Sequence, residues 1–433
     1  MSSSSGEAVS ESGSSTGAES RGATGDDATS SADTGGTSTT GAASTGDDGP
    51  AESTGAGNVC GDAIVGRDEQ CDGQDGCAAN CTWMPHATVW EREFETDGSG
   101  QVGGVVVSPE GGVYAAGITD NGGRTYRLPV WAVDAADGAD QWSDEVGPED
   151  GRTWASGLAL QGQQLVVAGS YQATSMPGHE YFRVYGLDGS LQSSYTGTSN
   201  AFLLSVAILP NGEVFTAGQV DGSHARFSRV SASTTVEWSQ IYPSHTALDI
   251  VSDGAGNVYA AGGAGADAWL VRFDAQGQEQ WSRTWSVEDR RTWIAAIALD
   301  DEGNLRTTGP VFELGADTSS WDVVMHRFAA DDGAVLAVAE HDLADGLFDT
   351  VQDIVVGPSG RTVACGWLDP GGKPGAANAW VAEVDDDCGI IWSERPDGRA
   401  CHALAMDEDD FIYLGGWTGP LDDISAWLAK LAP

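Results

Sequence analysis

The chain has 433 residues, of which 40% are apolar, so it can bury a sizeable hydrophobic core. Its formal net charge is −45, and a field of that sign repels phosphate backbones and anionic lipid, which argues against nucleic-acid binding. No stretch approaches about 18 consecutive apolar residues, so no transmembrane segment is predicted.

The N-terminal segment, residues 1–57, consists almost entirely of Ser, Thr, Gly, Ala, Asp and Glu and has no aromatic residue. Such a composition cannot bury enough apolar surface to offset the entropy of ordering the chain. We therefore predict a disordered linker over residues 1–57. A tether or a stalk glycosylated on Ser and Thr is the alternative.

Residues 58–84 contain four of the seven cysteines, at Cys60, Cys71, Cys77 and Cys81. An even number of cysteines in a short, loop-rich segment predicts two disulfides, and three connectivities are open. Zinc is the weaker alternative, because the segment has no C-x-x-C pair and no histidine between its cysteines. The acidic residues among the cysteines could bind calcium, although turn formation accounts for them more simply.

The run from Cys60 to Cys81, C-G-D-x-I-V-x-x-x-E-Q-C-D…D-G-C-x-x-x-C, resembles the cysteine-rich repeat of myxobacterial surface and secreted proteins. Its middle loop is shorter than is usual in that family. In the family, the module follows a Ser/Thr-rich stretch behind a lipoprotein signal, so the resemblance implies an extracellular or outer-membrane location. Residues after Met1 have no signal-like pattern, and we expect a true start further upstream that carries a lipoprotein or secretory signal. A cytoplasmic protein is the alternative.

From residue 87 onward, a strand of the type V-Y-A-A-G returns seven times at intervals near fifty residues. The strands end at Gly117, Gly169, Gly218, Gly262, Gly309, Gly366 and Gly416. Self-similarity at this period indicates supersecondary units, each too small to bury its own apolar face. Each unit reads as four short strands separated by Gly/Asp/Asn turns, which predicts an all-β fold with a seven-bladed β-propeller over residues 87–433.

Tryptophans mark equivalent places in the repeats: Trp269, Trp380 and Trp427 on third strands, and Trp142, Trp238, Trp281 and Trp392 on fourth strands. We expect them to pack one blade against the next, because twisted sheets need large flat side chains between them. A cofactor or carbohydrate platform is the weaker alternative.

The last repeat stops after its third strand, and a fourth-strand sequence, Val89–Phe94, stands ahead of the first repeat. This arrangement predicts that the segment around Trp90 completes the seventh blade and closes the ring. Blades two and five have no fourth-strand Trp, so six or eight blades are the alternatives.

The G-N-x-Y-x-x-G and W-x-x-x-F-D-x-x-G-x-x-x-W signatures of the repeats resemble those of bacterial β-propeller repeats. The segment Ala132–Trp142 is similar to the tryptophan-docking motif of quinoprotein dehydrogenases, A-x-D-x-x-x-G-x-x-x-W. In that family the motif packs blades together, so this resemblance implies architecture and carries no cofactor ligands with it.

Three cysteines lie within the repeats. Cys365 stands inside a predicted strand where other repeats have Ala, so we expect a small buried core residue. Cys388 and Cys401 are the expected partners of a third disulfide.

The sequence has no H-E-x-x-H, G-x-S-x-G, Walker or dinucleotide motif. We therefore expect a monomeric, non-enzymatic scaffold without a cofactor, which binds a protein or glycan at the cell surface. Binding residues concentrate on loops, and the exposed aromatic or basic candidates on the loops after the second strands are Arg124, Tyr126, Tyr171, His179, Trp367 and Trp417. A catalytic propeller, either quinoprotein-like or a lyase, and an outer-membrane assembly factor are the alternatives.

Overall fold

A computed structural model describes residues 70–71, 74–96, 98–120, 125–147, 151–173, 178–313, 321–343, 348–369, 378–396, 398–420 and 423–433. All of them belong to one compact unit, Gly57–Pro433. The linker expected at residues 1–57, and with it Cys60 and Arg124, lies outside the described residues. The boundary expected between the cysteine-rich module and the repeats stays a prediction.

The described residues form antiparallel sheets that group into four-stranded units, which we call blades and number in chain order. Blade 1 is β2 Gly100–Val107, β3 Gly112–Asp120, β4 Tyr126–Asp134 and β5 Asp140–Val146. Blade 2 is β6 Gly151–Gln161, β7 Gln164–Ala173, β8 His179–Gly186 and β9 Leu191–Ser199. Blade 3 is β10 Ala201–Ile208, β11 Val214–Val220, β12 His224–Val230 and β13 Val236–Pro243. Blade 4 is β14 His245–Ser252, β15 Val258–Ala264, β16 Asp267–Phe273 and β17 Glu279–Trp285.

In blade 5 the first strand is in two pieces, and blade 7 takes its fourth strand from the N-terminal side of the repeats. Blade 5 is β18 Arg290–Thr292 with β19 Ala296–Leu299, then β20 Leu305–Glu313, β21 Asp322–Phe328 and β22 Val335–His341. Blade 6 is β23 Phe348–Val356, β24 Thr362–Asp369, β25 Asn378–Val384 and β26 Ile390–Glu394. Blade 7 is β27 Arg399–Met406, β28 Ile412–Thr418, β29 Ser425–Leu431 and β1 Thr88–Phe94.

The first strands of all seven blades line one central cavity, which places the blades in a ring around it. One parallel bridge, Tyr126 to Arg152, links the sheets of blades 1 and 2. Every regular element of the described residues is a strand, and none of these residues forms a helix long and apolar enough to cross a membrane.

The predicted closure of the ring is confirmed by the pairing of β1 with β29. The two strands run antiparallel from Thr88 opposite Leu431 to Phe94 opposite Ala426. The pairing gives the outer edge of β29 a hydrogen-bonded neighbour, so the last blade presents the same strand order as the other blades.

Fourth-strand tryptophans dock onto the turn between the third and fourth strands of the next blade. Trp90 on β1 donates its indole N–H to the carbonyl of Ala135 in blade 1, at 3.0 Å. The same turn places Gly138 (φ 71°) against the indole, where an added Cβ would lie 3.0 Å from a ring carbon. Glycine meets both demands, since it accepts positive φ and presents no side chain.

This contact recurs around the ring. Trp142 donates to the carbonyl of Leu187 at 2.8 Å, and Trp281 donates to the carbonyl of Ala330 at 3.1 Å. A positive-φ glycine packs against each of these two indoles, as Gly277 does against Trp238. The docking implied by the Ala132–Trp142 motif is thus present in this chain, and it couples blade 7 to 1, 1 to 2, 3 to 4 and 4 to 5.

The third-strand tryptophans Trp269, Trp380 and Trp427 are fully buried, between 0% and 2% exposed. Their expected role in the core is confirmed. The fourth-strand tryptophans are more accessible, and Trp392 stacks on His86 with ring centroids 3.7 Å apart.

The repeated glycine that ends each V-Y-A-A-G strand is required by a close backbone approach. A Cβ built on any of the seven would lie 1.8–2.0 Å from a carbonyl oxygen of the first strand. In six blades the first strand has a β-bulge just beyond that carbonyl, and in blade 5 it is interrupted there. A bulge kinks a strand locally, which brings its backbone against the neighbouring strand.

Two disulfides lie within the described residues. Cys71 bonds to Cys77 in the cysteine-rich module, and Cys81 is buried. Cys365 bonds to Cys401, with Cα atoms 5.9 Å apart. This bridge links the second strand of blade 6 to the first strand of blade 7.

The expected pairing of Cys388 with Cys401 was therefore wrong. Cys365 is buried as expected, but it is the bonded partner of Cys401. Cys388 lies in the turn between β25 and β26 and is a buried free thiol. Its carbonyl accepts a hydrogen bond from His341 Nε2 at 2.9 Å, so this turn packs toward blade 5. Cys401 lies on the opposite side of blade 6, where Cys365 is the cysteine within reach.

We predict that C365A destabilises the protein by about 3–4 kcal/mol, because the native bridge spans a separation of 36 residues and limits the entropy of the unfolded chain. The matched variant C388A removes a buried thiol without breaking a bridge and costs about 1 kcal/mol. Denaturant unfolding measures both values, and non-reducing peptide mapping identifies the bridge. A linked pair of peptides containing Cys388 and Cys401 would contradict this assignment.

Candidate functional site

The central cavity has a volume of about 280 Å³ and is lined by first-strand residues from every blade. Most of the lining is aliphatic or glycine. The titratable side chains among its lining residues are Asp249 from blade 4, Asp353 from blade 6 and His402 from blade 7, and no Lys or Arg lines it.

Asp249 links three consecutive blades at the cavity wall. Its Oδ1 accepts hydrogen bonds from the hydroxyl of Ser205 in blade 3, at 2.7 Å, and from the N–H of Ile250, at 2.8 Å. Its Oδ2 accepts the N–H of Ile297 in blade 5, at 2.9 Å. Innermost strands have one edge without a partner strand, and the carboxylate satisfies N–H groups on that edge.

Asp353 repeats this arrangement two blades on. Its Oδ1 accepts the N–H of Ile354 at 2.8 Å, and its Oδ2 accepts the N–H of Leu404 in blade 7 at 2.7 Å. Burial, together with the nearby charge of Asp249, raises the pKa of Asp353 to about 8. Burial also raises the pKa of Asp249. Both carboxyl groups thus hold neighbouring first strands together through hydrogen bonds.

His402 occupies the bulge position of the blade 7 first strand. Its Nε2 is buried and makes no hydrogen bond, and burial lowers the pKa of the imidazole to about 4. The ring is therefore neutral at ordinary pH. Neither carboxyl makes a hydrogen bond to it, so no acid–base pair is assembled in the cavity.

A second candidate is the face of the ring where second strands end and third strands begin, which we call the loop face. First strands also begin there, and three of them start with half-buried aromatic side chains: Trp154 in blade 2, Phe202 in blade 3 and Trp293 in blade 5. The rings of Trp154 and Phe202 stack with centroids 6.0 Å apart. On blades 2 and 3, the channel lining begins two residues further along.

Aromatic side chains extend outward from Trp293. Its ring meets Trp321 edge-on at 5.4 Å, and Trp321 stacks on Phe312 at 4.5 Å. The guanidinium of Arg291, which is exposed, lies 6.0 Å from the ring of Trp293. The loop face thus holds half-buried aromatic rings beside an exposed cation.

Those predicted loop residues that the structure describes lie at strand ends on this face, and some form pairs. Tyr171 and His179 are opposite each other on β7 and β8, with ring centroids 6.5 Å apart. Tyr126 lies under the guanidinium of Arg152, at 4.9 Å. Their binding role stays a prediction, and none of these three predicted side chains is fully exposed.

Trp367 and Trp417 pack together with Ala400 and Ile424. Trp417 is only 6% exposed, so its expected exposure was wrong. This cluster places the two indoles at the junction of blades 6 and 7. Trp367 is half-buried and retains an accessible surface.

Sequence reasoning missed Trp154, Phe202 and Trp293, as well as Asp249 and Asp353. Aligning the repeats on their final glycines would have placed Phe202 and Trp293 at one position and Trp154 one residue away. The carbonyls of all three face those glycines. The two aspartates occupy a common position directly after the bulge.

The closed ring of four-stranded antiparallel sheets defines the fold as a β-propeller. No protein-family model and no curated protein matches the chain. Among solved structures it is similar to a streptogramin B lyase, at 12% identity over 78% of this chain and 97% of that chain, with a TM-score of 0.49. It is also similar to a protein of unknown function from Bacteroides caccae, at 13% identity over 67% of this chain and 97% of that chain, with a TM-score of 0.42. Likenesses this distant assign no activity.

We predict that the free energy of unfolding falls as pH rises from about 5 to 8. The folded state raises the pKa of Asp353 to about 8, above the value near 4 of an unfolded chain. The protonated carboxyl therefore stabilises the fold at low pH, and this contribution is lost as pH rises through 8. The slope from this one group is at most about 1.4 kcal/mol per pH unit.

The variant D353N should be less stable at pH 5, because an amide offers one acceptor oxygen to two N–H groups, and its pH slope should be shallower. D301N, at an exposed turn, serves as the control and should keep the wild-type slope. Urea unfolding at several pH values measures all three proteins. Parallel slopes for D353N and wild type would rule out this assignment.

Proposed function

We propose that the chain is an exported, monomeric, non-enzymatic scaffold that binds a protein or glycan at the cell surface through its loop face. The observation that carries this proposal is the arc of half-buried aromatic side chains, Trp154, Phe202 and Trp293, around the mouth of the channel. Accessible rings on a rigid strand framework cost little entropy to order when a ligand binds.

The composition of the arc favours recognition. Trp, Tyr and Arg dominate binding hot spots, and here Arg152 and Arg291 are exposed beside Tyr126 and Trp293. The chain has a net charge of −45, so the two arginines are local positive charges on an acidic protein. They can attract an anionic or π-rich ligand.

Export is supported by the disulfides. Cys71–Cys77 and Cys365–Cys401 require an oxidising compartment to persist. The resemblance of the cysteine-rich module to myxobacterial surface proteins supports the same location. A ring that closes within one chain supports a monomer, because its end strands pair with each other.

The catalytic alternative would use the central cavity. The side chains that line this cavity favour a catalytic role less than a structural one. Every carboxylate oxygen of Asp249 and Asp353 accepts at least one backbone N–H. The bonds from Ile297 and Leu404 connect neighbouring blades, so a structural role accounts for both aspartates without a reaction. No Arg or Lys lines the cavity to stabilise a developing anion.

The test is to measure binding with the purified full chain on a glycan array and, by cross-linking, on surface proteins of the producing cells. We expect W154A and W293A each to weaken binding by about 2 kcal/mol, or roughly thirtyfold in Kd. Melting curves check that both variants fold.

The control variant is I391A on β26, the outermost strand of blade 6. The Ile391 side chain is 61% exposed, and its strand is the one furthest from the first strand that lines the channel. It should bind as wild type does. Loss of binding in I391A with full binding in W154A and W293A would move the interaction to the rim of the propeller. That result would favour the assembly-factor alternative.

A further inference from the structure

Three carboxylates converge on the loop face between blades 5 and 6. Asp322 begins β21, Asp342 follows β22, and Asp349 lies near the start of β23. One carboxylate oxygen from each lies within 4.8 Å of the others. Like charges at such distances repel, so this arrangement needs an explanation beyond turn formation.

Asp349 supplies a second and independent observation. Its side chain is 0% exposed, and its Oδ1 makes no hydrogen bond. Its Oδ2 accepts the N–H of Leu343 at 2.7 Å, which fixes the carboxylate in place within reach of the other two acids. A buried carboxylate oxygen without a partner is costly unless a cation or a donor meets it.

Two arginines, Arg290 and Arg395, lie near the group. Glu340 lies beside Asp322, and its carboxylate is paired with Arg290. Arg395 donates a hydrogen bond to the carbonyl of Leu343 rather than to a carboxylate. Burial and the neighbouring carboxylates raise the pKa of Asp349 to about 6. A bound cation would offset this repulsion.

We propose that Asp322, Asp342 and Asp349 form a calcium-binding site. Calcium takes oxygen ligands at about 2.3–2.6 Å, so two oxygens bound to one ion lie up to roughly 5 Å apart. The separations in this group satisfy that limit. Magnesium demands near-ideal octahedral geometry and usually keeps several waters, so a group of three protein carboxylates suits calcium better.

The site goes beyond the proposed binding function and does not depend on it. It lies on the same face, where it would hold the start of the blade 6 first strand against the end of blade 5. Calcium would thereby stabilise this blade junction without contacting any other ligand.

Blade 4 supplies a matched control. Asp267 begins β16 in the same way as Asp322 begins β21, and both strands have seven residues. At the positions that correspond to Asp342 and Asp349, the chain has Ser286 and Thr292. This counterpart therefore has one carboxylate where the proposed site has three.

The experiment titrates calcium into the full 433-residue chain after removal of divalent ions with a chelator, at high constant NaCl to screen diffuse binding by the acidic surface. Calorimetry gives the affinity, and thermal melting gives the stabilisation. Terbium luminescence excited through tryptophan reports on location, because Trp321 directly precedes Asp322. We expect saturable one-site binding that raises the melting temperature, with affinity at least about tenfold lower in D322N, D342N and D349N. D267N should bind as wild type does.

Absence of saturable binding to the wild-type chain would overturn the proposal, as would wild-type affinity in D322N and D342N. An equal loss of affinity in D267N would show that the binding is diffuse. If D349N fails to fold because its side chain is buried, the two more accessible positions still decide the outcome. Tighter binding of magnesium than of calcium would contradict the choice of ion.

Discussion

The structure depends on the docking of the fourth-strand tryptophans Trp90, Trp142, Trp238 and Trp281 onto glycine turns in the next blade. A single four-stranded sheet of this size has two apolar faces and cannot bury either one alone. The indole of Trp90 covers the turn at Gly138, and its N–H is satisfied by the carbonyl of Ala135. Repeating this contact at Trp142 and Trp281 fixes the distance and angle between successive sheets.

Closure adds a constraint that the individual contacts do not supply. β1 comes before the first blade in the chain, yet it completes the last one. Lys430 lies opposite Trp90 in that pairing, and its ammonium donates to the same Ala135 carbonyl at 3.0 Å. Blade 1 and blade 7 therefore meet through one carbonyl that receives two donors. The inner strands then converge on a common channel, and Asp249 and Asp353 link their free edges.

The packing of the blades places few demands on the side chains of the loop face. The repeated glycines and docked tryptophans specify the sheets, whereas the residues that begin the first strands are not needed for that packing. Three of these positions hold accessible aromatic side chains, and Asp349 introduces a buried carboxylate at the start of blade 6. Function is expected where side chains depart from what the fold requires.

Much of the fold was predictable because the same strand pattern recurs at intervals near fifty residues. Three features each indicate one structural role: the glycine spacing, the third-strand tryptophans and the displaced strand around Trp90. The site was much less predictable. Which cysteine meets Cys401 depends on which side of a blade each strand presents, and spacing does not encode this. Trp417 was misjudged for the same reason, since its burial comes from Trp367 in the adjacent blade. The convergence of Asp322, Asp342 and Asp349 likewise brings together three strand ends from two blades.

The most direct test of the closed ring is amide hydrogen exchange of the full chain, followed by mass spectrometry. Closure predicts that peptides covering Thr88–Phe94 are protected to the same degree as peptides covering Ser425–Leu431, because each strand holds the other. Rapid exchange of the Trp90 segment, while the remaining strands of blade 7 stay protected, would contradict the account.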